Sequence, residues 1–183
     1  MEDTRNVIDK YKGWTNEAIV ADLDQSRVDL EVAIENLAHD FNMGTVVRNA
    51  NAFNVRAVHI IGKKHYNRRG AMATDKYLHI FHHDSADEFA EDVRARGYQI
   101  VGVENNVENA RPLNTVQFAM RTVLVFGSES AGLSADMLRL TDQIVQIEQL
   151  GSTRSVNVGV ASGIVMYQYL RKCGILDKYE SKY

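Results

Sequence analysis

Cysteine and proline each occur only once in this 183-residue chain. The lone Cys173 excludes an internal disulfide and a thiolate metal cluster, and reads as a partly buried thiol near the end of the last helix. No Pro-rich linker, internal repeat or low-complexity tract divides the chain, so a single domain over residues 1–183 is expected. No apolar run approaches the roughly 20 residues that span a bilayer. The polar N-terminus lacks the apolar stretch of a signal peptide, which makes the cytoplasm the expected location. Nucleotide signatures are missing too. There is no GxGxxG after the first strand and no GxxxxGK[ST], which argues against a dinucleotide oxidoreductase or a P-loop NTPase. No HExxH is present, and His79, His82 and His83 lack a nearby carboxylate pattern, so no metal is expected. A net charge of −3 does not advertise a nucleic-acid partner.

What is present alternates between two periods. Residues 15–27 place Ile19, Val20 and Leu23 on one helical face behind a capping Thr15, while residues 1–14 read as an irregular arm. Residues 30–35 alternate Val32 and Ile34 against Glu31, Ala33 and Glu35, as a strand does. A helix over 45–53 and a strand over 55–62 follow, then a short third strand over 77–82. A helix over 84–97 has early acids, late arginines and a closing glycine. Strands at 98–104, 121–126 and 143–147 frame a polar loop around Pro112 and a short helix at 134–140. Strands alternating with helices predict a mostly parallel α/β sheet. The last segment, 156–170, carries no charge and is apolar on nearly every side, which predicts a helix in the middle of the protein.

Three loops leave expected strands and open expected helices: 40–44, 127–132 and 151–155. Ligands of open α/β sheets bind where such loops gather, at the carboxyl ends of the strands. Ser155 and Asn157 stand at the start of the last helix, where unpaired N–H groups and the helix dipole favour an anion; Ser155 reads first as its N-cap. Lys63, Lys64, Arg68 and Arg69, interleaved with His65, Tyr66 and Asn67, read either as a grip on a phosphate backbone or as a solvated loop. Gly159 and Gly163 permit close backbone approach, to another element or to another subunit.

Three motifs occur in order: Asn42-Met-Gly-Thr-Val-Val-Arg48-Asn-Ala50, Phe126-Gly127-Ser-Glu129-Ser-Ala-Gly132-Leu-Ser134, and Ser155-Val-Asn157-Val-Gly-Val-Ala161. Together they resemble the SpoU/TrmH-type members of the SPOUT RNA methyltransferases over roughly residues 30–172. The third motif departs from the family's usual SLNVSVA in two apolar or small positions, the preceding loop lacks a common proline, and Ser130 stands where glycine is frequent. The resemblance implies a Rossmann-like sheet whose C-terminal part forms a deep trefoil knot. A catalytic core over 28–172 would follow an arm and short helix over 1–27.

The resemblance further implies S-adenosylmethionine in the knot and a homodimer around it. The implied reaction is methyl transfer to a ribose 2′-OH of structured RNA, with tRNA as the first expectation and ribosomal RNA the second. A non-catalytic RNA-binding module of the same fold is the alternative. Arg48 would be the catalytic arginine, with Asn42, Glu129, Ser155 and Asn157 as its companions. Gly127, Ile147, Val156, Val103 and Leu150 would hold the cofactor; Lys63, Lys64, Arg68, Arg69 and Arg154 would touch the RNA.

Overall fold

The computed structural model describes residues 3–36, 42–65, 69–128 and 131–179. Seven strands form one sheet: β1 (Val28–Asn36), β2 (Val55–Gly62), β3 (Ile80–His83), β4 (Gln99–Val103), β5 (Arg111–Pro112), β6 (Thr122–Phe126) and β7 (Gln143–Gln146). Their order is β3-β2-β1-β6-β4-β7-β5, and every recorded pairing is parallel. The helices are α1 (Asn16–Asp24), α2 (Met43–Ala52), α3 (Ala86–Ala95), α4 (Ala135–Leu140) and α5 (Val158–Lys172). Among the described residues no helix is long and apolar enough to cross a membrane.

The side-chain period of two sorts the strands between two cores. Val32, Ile34, Val58, Ile60, Leu124 and Phe126 pack with α2 and α5, through Val46, Val47, Val165, Met166 and Tyr169. Ala33, Ile61, Val123 and Val125 pack the other face against α3 and α4, through Phe89, Val93 and Met137. The result is a three-layer sandwich. β6, apolar at all but its first residue, is buried throughout, as a central parallel strand must be.

The polar face of β1 is not a solvent face. Glu31 and Glu35 are buried under α3 and α4, and each carboxylate is satisfied. Glu35 accepts from the Ser134 backbone N–H at 2.7 Å and from the Ser134 hydroxyl, which also caps α4. Glu31 accepts from His59 at 2.9 Å and Arg96 at 2.6 Å. Burial opposes ionisation of Glu31, but these two hydrogen bonds outweigh it and hold its pKa at about 2.

Three expectations change in detail. The third strand starts at Ile80 rather than 77, because residues 74–77 form a 3₁₀ turn that buries Tyr77 against Tyr11 and Ile19 of the N-terminal arm. The polar loop after β4 contributes β5, whose two residues pair with β7. The last helix starts at Val158, and Asn157 caps it by accepting from Gly159 and Val160; Ser155 lies outside the helix. That helix is not enclosed either: Val160, Ile164 and Tyr167 form an exposed apolar stripe.

Candidate active site

The strand order reverses around β1. The chain runs outward through β2 and β3, crosses back to β4, and later inserts β6 between β1 and β4. Loops leaving the carboxyl ends of β4, β6 and β7 therefore diverge there and leave a cleft, as at other switch points of open sheets. The cleft has a volume of about 470 Å³, inside the range of about 300–1,000 Å³ typical of small-molecule sites. Val103 and Phe126, the last residues of β4 and β6, form its floor. Gly127, Ser128, Leu133 and Leu138 form one wall, and residues 155–158 with Ala161 form the other.

Gly127 and Gly132 shape that wall by having no side chains. A Cβ on Gly127 would lie 2.1 Å from the Gly132 carbonyl carbon, inside the backbone itself. Gly132 has φ +67, and a Cβ there would lie 2.1 Å from Glu104 Oε2. The two glycines let the loop double back, with Ser128 and Gly132 exchanging backbone hydrogen bonds at 3.1 and 2.9 Å.

Glu104 and Asn105 organise the opposite lip. Glu104 accepts from the Leu133 N–H at 3.0 Å and from the N–H groups of Asn105 and Asn106, fastening the β4 loop to the β6 loop. The Asn105 amide donates to Ile147 O at 3.0 Å and accepts from Ile147 N at 3.3 Å. Neither residue stands out in the sequence, where ENNVEN reads as a solvated loop. Both act on partners 29 and 42 residues away, so only the fold reveals them.

Of the expected cofactor residues, Val103, Gly127 and Val156 line the cleft. Ile147 does not, since both its backbone groups are occupied by Asn105. Leu150 is fully exposed on the loop that leads to α5. Ser155 and Asn157 both face the cleft. Glu129 falls outside the described residues.

α2 is docked on the first turns of α5. A Cβ on Gly159 would come within 2.7 Å of Thr45 Cγ2, and Asn49 donates to Gly159 O at 2.8 Å and Ser162 Oγ at 2.9 Å. The small residues of α5 thus serve an intrachain helix contact. Arg48 follows Thr45 by three residues and flanks the same contact. It is exposed, with no side-chain partner among the described residues. Asn42 occupies the N-cap position of α2 without a side-chain capping bond.

The basic loop is held at its described ends. Asn36 donates to the carbonyls of Lys63 and His65, and Gly70 sits where a Cβ would lie 2.8 Å from Thr45 N. Lys63 and Lys64 are exposed there, and Arg154 is exposed on the loop before α5. Arg68 and the side chain of Arg69 fall outside the described residues. The fold therefore forms a polar-and-apolar cleft and leaves Arg48, Lys63, Lys64 and Arg154 exposed.

Residues 29–167 match the model of the SpoU rRNA Methylase family. The chain belongs to that family. It is an S-adenosylmethionine-dependent RNA methyltransferase, and its cleft fits the donor: apolar floor, glycine wall and backbone groups at the rim. The tRNA (guanosine(18)-2′-O)-methyltransferase of Thermus thermophilus is 27% identical over 157 residues, covering 82% of this chain and 80% of that protein. The crystal structure of the A. aeolicus TrmH/SpoU tRNA modifying enzyme superposes with a TM-score of 0.76 at 26% identity, covering 88% of this chain and 84% of that one. The SpoU methyltransferase AviRb of Streptomyces viridochromogenes, solved in complex with AdoMet, has a TM-score of 0.67 at 25% identity, covering 83% and 61%.

Proposed function

We propose that this enzyme methylates a ribose 2′-OH of tRNA, with Arg48 preparing the hydroxyl. The observation that carries this reading is an exposed Arg48, without a side-chain partner among the described residues, on the helix that docks on the first turns of α5. The bound donor supplies a methyl group on a sulfonium, ready for in-line displacement. Val103, Gly127 and Val156 would hold its adenosine between apolar side chains and backbone groups. Ile147, held by Asn105 beside the cleft, and the exposed Leu150 are the other two residues proposed to contact it.

A ribose hydroxyl is a poor nucleophile until its proton is drawn off. A guanidinium stays charged and is no base. Arg48 instead binds the phosphate beside the ribose, orients the hydroxyl and stabilises the forming alkoxide, with the phosphate as proton acceptor. Asn42, Glu129 and Ser155 position the RNA or support Arg48, while Asn157 holds the entry of α5 through its cap. Lys63, Lys64, Arg68, Arg69 and Arg154 contact the RNA backbone. Loop nucleotides are the targets, because their ribose can be reached.

The relatives' names favour tRNA, and guanosine 18 is the nucleotide to examine first. The family description favours ribosomal RNA as the second reading. Labelled donor with purified tRNA and rRNA distinguishes them: tRNA is expected to take the label at a ribose, and label in rRNA alone refutes the first reading. Arg48→Ala is expected to reduce transfer by at least about 100-fold while donor affinity, read by calorimetry, stays within about twofold. A variant with the wild-type rate would remove Arg48 from the mechanism, and donor binding without transfer to any RNA would favour a non-catalytic module.

The deep knot and the homodimer complete the proposal. β6 enters between β1 and β4, and β7 between β4 and β5, each after its neighbours in the chain, an order compatible with a threaded C-terminal part. The apolar stripe Val160, Ile164, Tyr167 borders a groove lined by Leu113, Ile147 and Gly163, a surface suited to a second copy. A cytoplasmic setting, where tRNA resides, fits this reading.

A further inference from the structure

Toward the β3 edge of the sheet, three residues from three separate elements converge. His59 lies in β2, His83 in β3 and Asp92 in α3. One ligand atom from each falls within 4.8 Å of the other two. His59 and His83 are buried, and Asp92 opens to solvent, so the cluster has a core and an entrance.

The hydrogen-bond chain assigns the protons. Glu31 is ionised and can only accept, so His59 Nε2 carries the hydrogen that it receives at 2.9 Å. His59 Nδ1 then has a lone pair, directed at His83 Nε2 at 2.9 Å. A histidine that donates one ring N–H to a buried carboxylate and aims the other nitrogen at a second histidine has the outer support found behind metal-bound imidazoles. Arg96 fixes Glu31 from behind at 2.6 Å and also reaches Asp92 at 3.0 Å, which orients both carboxylates. Phe81 stacks at 5.5 Å from the His59 ring, and Phe89 lies edge-on at 5.5 Å to both imidazoles, giving the pair apolar walls.

We propose that His59 Nδ1, His83 Nε2 and Asp92 bind a divalent transition ion of borderline softness, with Zn²⁺ as the type, leaving its fourth position to water. Two imidazole nitrogens on a tetrahedral ion with bonds of 2.0–2.1 Å stand about 3.3 Å apart, so the nitrogens separate by about 0.4 Å and each lone pair turns about 35° off the line between them to point at the ion. His83 moves its proton from Nε2 to Nδ1 on binding, so no proton is lost. The sequence, in which His79, His82 and His83 lie close together without a carboxylate pattern, predicts no metal; the fold instead sets His83 against His59, 24 residues away, across adjacent parallel strands. The sheet order separates β2 and β3 from the strands that line the cleft, so the ion clamps α3 and the edge strand to the sheet and takes no part in methyl transfer.

The test is Zn²⁺ titration of the chelator-stripped full chain by calorimetry, with Co²⁺ absorption reporting tetrahedral nitrogen and oxygen ligation. One ion per chain is expected, with a rise in melting temperature on Zn²⁺ addition. Asp92→Asn, on an exposed position, is expected to weaken binding by at least about tenfold, and His83→Gln by more. His82→Gln should leave it unchanged. No uptake at micromolar Zn²⁺, or uptake that Asp92→Asn and His83→Gln leave intact, overturns the site, as does binding that follows His82. If His83→Gln does not fold, the Asp92→Asn comparison and the wild-type Co²⁺ spectrum decide alone.

Discussion

Gly127 shows at a single residue how absence of a side chain makes a site. Its Cβ position is filled by the backbone of Gly132, and backbone cannot swing aside as a flexible side chain can. Gly127→Ala is therefore expected to reopen the turn over residues 127–133 and lower the melting temperature by roughly 2–12 °C, from an overpacking cost of about 1–3 kcal/mol. Donor affinity should fall at least about tenfold in calorimetry, the opposite signature from Arg48→Ala. Unchanged donor affinity would mean the wall is not a binding surface. Gly127 was legible in the sequence because it stands in a motif. Glu104, which ties down the same loop, was not: an acid among asparagines looks solvated until Leu133 is seen to donate to it.

Helices bring the residues together through their contacts. α2 and α5 approach closely because Gly159 leaves room for Thr45, and Asn49 reaches across to Gly159 O and Ser162. Gly159→Val is expected to destabilise by about 1–3 kcal/mol through overpacking, and Thr45→Ala should return part of that loss. Thermal melts of the two single variants and the double variant measure the coupling; additive effects would show that the two side chains do not meet. Because Arg48 lies one turn beyond Thr45, transfer activity should fall in Gly159→Val and recover in the double variant.

Most elements were readable from periodicity, and β2 was placed to the residue. The failures have a common physical cause. β5 is held by only two residues pairing with β7, too few for a pattern, and Asn157 rather than Ser155 caps α5 because the chain stays extended for two residues longer. The alternation of β1 marks a strand but not the burial of Glu31 and Glu35, whose partners come together only in the folded chain.

At the scale of the whole molecule, one surface remains to be accounted for. An uncharged helix was expected to lie enclosed, yet α5 buries only the faces toward the sheet and α2, and it leaves Val160, Ile164 and Tyr167 exposed at 55%, 41% and 53%. Spacings of four and three residues put these on one stripe, beside a groove that includes Leu113 and Ile147. Glycines 159 and 163 face α2 in the same chain, so the proposed dimer rests on the larger apolar residues and not on the small ones. A stable dimer covers about 800 Å² per partner, more than one stripe offers, so the groove has to be included in the contact. The full chain is expected to sediment as a dimer at micromolar concentration, and Ile164→Asp combined with Tyr167→Glu as a monomer with a nearly unchanged melting transition, since both positions already tolerate water. A wild-type monomer, or a double variant that remains dimeric, would assign this face another role. The Ile164 stripe shares α5 with Asn157 at the cleft, so loss of the dimer should also weaken donor binding if the partner steadies the entry of that helix.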